Sequence, residues 1–223
     1  MNKYIAEFIG TFFFILTIGC TVIGASPGVI PPLAIGAVLM VMVYAGGHIS
    51  GGHYNPAVTL GVLIRGKIKA ADVVPYIVAQ LLAAAAAAAT VKFLRAGVAV
   101  TPMTPNVGAV LLAEFLFTFA LVYVVLNTAT AEGTSGNSFY GLAIGMTVMI
   151  GAFAVGDISG AVFNPAIAVG ISILGLSSWG NIWIYLVANF GAAVVAAVIF
   201  QLINPPMQVT PIATDEPPYE TPD

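Results

Sequence analysis

The chain has 223 residues, of which 60% are hydrophobic and only 7% charged, and its mean hydropathy is +1.03. A soluble domain carries about a quarter charged residues, so the natural solvent of this chain is lipid. Its formal net charge of -3 excludes nucleic acid, which needs a basic face, and the single cysteine, Cys20, excludes an internal disulfide and a multi-cysteine metal site.

The N-terminal apolar run from Ile5 to Ile23 is longer than the apolar core of a signal peptide, which is about 7–15 residues. It also carries Glu7 and recurs mid-chain from Ala113, which a signal peptide has no reason to do. Spanning a bilayer takes about 20 residues, and six apolar stretches meet that length, about 4–24, 31–48, 72–95, 108–128, 139–156 and 181–203. Turn-forming clusters separate them: Ser26-Pro27-Gly28, Thr101-Pro102 with Thr104-Pro105, and 132–137. The run of alanines from Ala83 to Ala89 reads as helix, because Ala is the best helix former and small residues let membrane helices approach closely.

Two further apolar pieces are too short to span. They begin at Asn55-Pro56-Ala57 and at Asn164-Pro165-Ala166. Each reads as a half-helix of roughly ten residues, with Asn as N-cap and Pro at the first helical position. The glycine-bearing segments before them, 46–54 and 156–163, are expected to be irregular rather than spanning helix. Irregular backbone at membrane depth persists only where it is buried in protein or lines water. From Pro205 onward an acidic proline-rich segment, 205–223, reads as a disordered tail after a channel domain of 1–204.

The strongest feature is an internal repeat, about 4–95 and 108–203. With Asn55 laid on Asn164, Leu33-Ala34-Ile35-Gly36 falls on Leu142-Ala143-Ile144-Gly145, and Ile49-Ser50-Gly51 on Ile158-Ser159-Gly160. Tyr76 falls on Tyr185 and Gln80 on Asn189, while Ala6-Glu7-Phe8 matches Ala113-Glu114-Phe115. Three spans per repeat is an odd number, so the second repeat inserts upside down relative to the first. In such inverted repeats discontinuous helices meet at the midplane, and the two half-helices are expected to meet N-terminus to N-terminus. The fold class expected is all-α: six transmembrane helices plus two re-entrant half-helices. Lys3, Arg65, Lys67 and Lys69 fall on one side and Lys92 and Arg95 on the other, so the positive-inside rule predicts both termini in the cytoplasm.

The chemistry follows from the half-helices. Each N-terminus carries about +0.5 elementary charge, and two facing ends oppose cations, a known selectivity device. Asn55 and Asn164 can each cap their own helix and still direct an N–H at the lumen. A water held by two such donors has its hydrogens turned outward, which breaks a proton wire. Gly51, Gly52, His53 and Tyr54, with Gly160, Ala161, Val162 and Phe163, are expected to supply backbone carbonyls along the pore. Glu7, Glu114, His48 and Asp157 are ionisable residues at membrane depth, and such residues are functional by default. Here they are read instead as structural polar support, the glutamates accepting hydrogen bonds from the loop backbones. No metal site, nucleophile or cofactor is implied, which disfavours an enzyme. A secondary transporter, which also uses inverted repeats and broken helices, is the alternative.

Over the whole chain before the tail, these motifs resemble the aquaporin and glycerol-facilitator family. Ala6-Glu7-Phe8-Ile9-Gly10-Thr11-Phe12 resembles its first-helix motif, and the run from Gly47 to Thr59 its first pore loop. The resemblance implies a passive channel for water and small neutral solutes, in a bilayer, as a homotetramer with one pore per subunit. One departure stands out: the family's second motif usually reads Asn-Pro-Ala-Arg, whereas Ile167 stands here at the arginine position. Motif offsets place the rest of the outer selectivity filter at Ile35, Ala152 and Ala161, giving a wider and more apolar mouth than a strict water filter.

Overall fold

The computed structural model describes residues 1–24 and 28–205. Eight α-helices appear in chain order: α1 (Asn2–Val22), α2 (Ile30–Ser50), α3 (Pro56–Ile64), α4 (Ala70–Leu94), α5 (Val107–Ala129), α6 (Tyr140–Ser159), α7 (Pro165–Leu174) and α8 (Ile182–Ile203). Short 3-10 turns at Glu132–Thr134 and Trp179–Asn181 lead into α6 and α8. The six long helices are long and apolar enough to cross a membrane. Their outward faces carry large apolar side chains such as Ile9, Phe13, Leu82, Leu116, Ile150 and Val187, as lipid-facing surfaces do. The tail beyond Pro205 and the Ser26-Pro27 turn lie outside the described residues.

The halves pack alike. α1 lies against α2 and α4, and α5 against α6 and α8, while α2 crosses α6 between the halves. The half-helices cross over: α3 packs on α8, and α7 on α4. Small residues permit this. Ala83, Ala84, Ala87 and Ala88 of α4 and Ala192, Ala193, Ala196 and Ala197 of α8 are fully buried, so backbones come close and dispersion contacts replace the hydrophobic drive that lipid lacks. At Gly170 of α7 an added Cβ would meet Ile15 and Ala84, and at its repeat partner Gly61 of α3 it would meet Val122 and the Ala193 carbonyl. Each half-helix is thus wedged against the opposite repeat.

One expectation needs correction. The segments 46–54 and 156–163 are not irregular throughout: α2 continues through Gly46, Gly47 and His48 to Ser50, and α6 through Gly156 and Asp157 to Ser159. Glycine weakens a helix by about 1 kcal/mol but does not end it. What ends these helices is a left-handed residue, Gly51 at φ 90° and Gly160 at φ 82°, each closing its helix by a backbone bond back to Gly47 or Gly156. The extended pieces are therefore only five residues long, 51–55 and 160–164.

Candidate functional site

Each short loop is built the same way. After the left-handed cap, Gly52 and Ala161 take φ 63° and 51°, and Tyr54 and Phe163 both take φ 48°. Non-glycine residues rarely adopt this conformation, and it persists only where the surroundings enforce it. The enforcing groups are the two glutamates. Glu7 is fully buried and accepts hydrogen bonds from Ser50 Oγ (2.7 Å), His53 N (2.9 Å), Tyr54 N (2.6 Å) and Gln80 Nε2 (2.9 Å). Glu114, also fully buried, accepts from Ser159 Oγ (2.7 Å), Val162 N (2.9 Å) and Phe163 N (2.6 Å). In the orientation its neighbours require, the Asn189 amide donates to Glu114 Oε2 (3.2 Å) and its oxygen accepts from Asn164 N (2.7 Å).

Further members complete the frame. Ser50 and Ser159 also accept from Gly52 N and Ala161 N, each at 3.1 Å. The Tyr76 and Tyr185 hydroxyls donate to the carbonyls of Ser50 (2.7 Å) and Ser159 (3.2 Å), the last helical residues before each loop. The repeat pairs Tyr76 with Tyr185 and Gln80 with Asn189, but sequence alone assigns them no role. The available signal was that each is a polar group inside an apolar span, at matching places in the two repeats.

The loops then lead into the half-helices. Asn55 and Asn164 adopt extended backbone (φ -159° in both) and cap their own helices, Asn55 Oδ1 accepting from Ala57 N and Asn164 Oδ1 from Ala166 N, each at 2.8 Å. Pro56 and Pro165, at the first helical position, have no N–H to leave unpaired. The amide nitrogens cross over. Asn55 Nδ2 donates to the Phe163 carbonyl and Asn164 Nδ2 to the Tyr54 carbonyl, both at 2.9 Å. The two half-helix N-termini therefore lie within side-chain reach of each other. An amide NH2 has two donors, so each asparagine retains one N–H beyond these bonds. The Tyr54 and Phe163 carbonyls, expected to face the pore, each already accept one bond from the facing asparagine.

Cavities lie on either side of this centre. Beside Asn55, between Gly52, His53, Val58, Phe14, Leu39 and Leu121, is a chamber of ≈ 10 Å³, about the space of one water. His53 is buried with Nδ1 3.1 Å from Thr59 Oγ1 and its ring packed on Tyr76. Toward the end where Lys3 and Lys67 lie, a vestibule of ≈ 810 Å³ is lined by His48, Lys67, Glu132, Asn137 and Tyr140. At the other end Ile35, Ala152 and Ala161 share a cavity of ≈ 550 Å³ with Pro31, Pro32 and Asp157. Ile167 is not among its lining residues; it is 3% exposed and packed in the apolar core.

The supporting role expected of His48 and Asp157 is not met. Both are exposed, and among the described residues neither side chain makes a hydrogen bond. They sit on the last turns of α2 and α6 and line opposite vestibules. The serines two residues on, Ser50 and Ser159, do the bracing instead.

Six spans, two half-helices entering from opposite ends, and paired asparagines at their junction define a membrane channel. The sequence profile of the Major intrinsic protein family matches residues 1–200. The chain is 38% identical over 207 residues to "Glycerol uptake facilitator protein-like 6" of Lactiplantibacillus plantarum, covering 88% of this chain and 95% of that one. It is 36% identical over 213 residues to "Aquaporin NIP1-4" of Oryza sativa subsp. japonica (92% and 77%), and 34% identical over 233 residues to "Nodulin-26" of Glycine max (99% and 82%). The aquaglyceroporin of Plasmodium falciparum superposes with TM-score 0.72 at 20% identity, covering 91% of this chain and 94% of that one, which shows the shared fold. The chain belongs to the major intrinsic protein family, and it is a passive channel for water and small solutes rather than an enzyme.

Proposed function

We propose that solutes pass in single file by the Asn55–Asn164 junction, and that protons and cations are refused there. The observation that carries this is the reciprocal bonding of the two asparagines across opposed half-helix N-termini. Two positive dipole ends face the same point, and each amide keeps one N–H for a passing water or hydroxyl. Glu7 and Glu114 have their lone pairs occupied by loop and helix donors, which suits a scaffold and leaves neither buried glutamate free to couple an ion gradient. That favours conduction over secondary transport.

Ile35, Ala152 and Ala161, which share the outer cavity, are the proposed outer filter together with Ile167, whose side chain is packed in the core rather than on that cavity. Without a guanidinium it lacks donors and positive charge, so the mouth is apolar and permissive. Glycerol, urea, ammonia and dissolved gases are the candidate solutes beside water, in keeping with the glycerol-facilitator and aquaporin relatives. The channel is placed in the cell membrane with both termini cytoplasmic, on the side of Lys3, Arg65, Lys67 and Lys69, and assembled as a homotetramer with a pore in each subunit.

Stopped-flow swelling of proteoliposomes tests the filter. Ile167→Arg is expected to lower the ratio of glycerol to water permeability several-fold. An unchanged ratio removes Ile167 from the filter.

A further inference from the structure

His48 and Asp157 are repeat partners, and they occupy corresponding places at opposite mouths. Each lies in the last turn of its helix, two residues before the bracing serine, and each lines a vestibule. The two differ in charge. A helix C-terminus carries about half a negative charge. The carboxylate of Asp157 adds to that end, whereas His48 brings no negative charge to its own. The α6 terminus has no basic residue in its last turn. Among the described residues lining the outer cavity, Asp157 is the only ionisable side chain: the others are Val22, Gly28, Pro31, Pro32, Ile35 and residues of the α6 end and its loop. Neither of the basic residues assigned to this side, Arg95 and Lys92, lines the cavity. Arg95 donates to the Cys20 carbonyl on α1 (2.6 Å), and Lys92 lies exposed near the end of α4.

We propose that Asp157 gives the outer mouth a standing negative potential, so that this vestibule attracts small cations and protonated amines and prefers solutes that donate hydrogen bonds. This rests on reading the cavity as the pore's outer mouth. A carboxylate accepts hydrogen bonds and donates none, so the mouth has the opposite polarity to one built round a guanidinium. The field of one carboxylate, joined to a helix end and framed by apolar walls, is focused into the vestibule. Cations gathered there go no further, because the half-helix N-termini repel them. The mouth thus enriches what the centre refuses, and passes the neutral hydrogen-bond donors.

The potential can be read with a reporter thiol. In a Cys20→Ala background, Ala152→Cys puts a thiol in the vestibule, and Ile35→Cys provides a second site should the first fail to fold. The rates of modification by 2-(trimethylammonium)ethyl and 2-sulfonatoethyl methanethiosulfonate are followed by the loss of water permeability in proteoliposomes. With Asp157 present, the cation-to-anion rate ratio in about 10 mM salt should exceed that of the added Asp157→Asn variant by about ten-fold, a roughly three-fold gain for the cation and loss for the anion. The gap should close near 1 M salt, where the screening length falls to about 3 Å. Asp157→Glu should keep the high ratio and Asp157→Lys invert it. Modification that blocks flux with the same ratio in Asp157→Asn overturns the charge inference alone. Thiols that react, by mass, without slowing flux overturn the pore-mouth reading and this inference with it.

Discussion

Gly36 and Gly145 stand face to face where α2 crosses α6, each where the other's side chain would have to go. A Cβ on Gly145 would lie 2.5 Å from the Gly36 carbonyl oxygen, and one on Gly36 would lie 2.8 Å from that of Gly145. The two are repeat partners, so the contact lies on the axis relating the halves. Backbone atoms cannot swing aside as a flexible side chain can. Gly145→Ala and Gly36→Ala should therefore each destabilise by about 1–3 kcal/mol, as overpacking does. Gly156→Ala, with nothing within 4 Å of its Cβ, should be neutral or stabilise by up to about 1 kcal/mol. Thermal unfolding in detergent, followed by tryptophan fluorescence, ranks the three; equal midpoints would mean that the crossing is looser than drawn.

Glu7→Gln and Glu114→Gln keep side-chain shape but turn an NH2 toward donors that need an acceptor. Each should leave a buried N–H or O–H unpaired, at about 1–3 kcal/mol, and release the strained loop it holds. Water permeability and thermal stability should fall together. A stable Glu7→Gln protein that had lost a proton-driven flux would falsify the scaffold role.

Asn164→Asp replaces the donor to the Tyr54 carbonyl with an acceptor while keeping the cap on Ala166 N. Two acceptors then face each other across the junction, and a negative charge offsets the half-helix dipoles. Water flux should drop, and a cation leak above that of the parent channel should appear. Patch recording of fused proteoliposomes under a potassium gradient is the measurement. Silence at all voltages, in a protein that still conducts water, counts against the centre as the cation barrier.

The tyrosine struts give a graded comparison. Tyr76→Phe removes a bond of 2.7 Å and Tyr185→Phe one of 3.2 Å, both to buried carbonyls. Each should lower stability by about 1 kcal/mol, with Tyr76→Phe the larger. Melting curves showing the reverse order would assign the strut function elsewhere.

The repeat made most of this architecture legible in advance. Asn-Pro-Ala is a weak sign once and a strong one twice, because cap, proline and short apolar run recur with it. The six spans came within a few residues, since hydropathy tracks lipid contact directly. Glycine misled: Gly46 and Gly156 suggested a broken helix, yet only the left-handed Gly51 and Gly160 break it, and φ cannot be read from composition. His48 and Asp157 misled for a related reason. Depth in the membrane was inferred from position along the chain, but which side of the last helical turn a residue occupies depends on where that turn ends. The loop backbone bonds to Glu7 and Glu114 were legible from the repeat, but their side-chain donors, Gln80 and Asn189 among them, lie far off in sequence, where spacing says nothing about contact.

The crossed asparagine bonds set a schedule for biosynthesis. Asn55 is made early, but the Phe163 carbonyl it donates to comes 108 residues later. At about 5–20 residues per second of synthesis, the first half-helix waits some 5–20 s for its counterpart. During that interval a polar amide and a strained loop stand at membrane depth, without the opposing half that closes over them. The first half must be sheltered by the insertion machinery or remain outside the lipid, and the pore exists only once the second half has arrived to lock it.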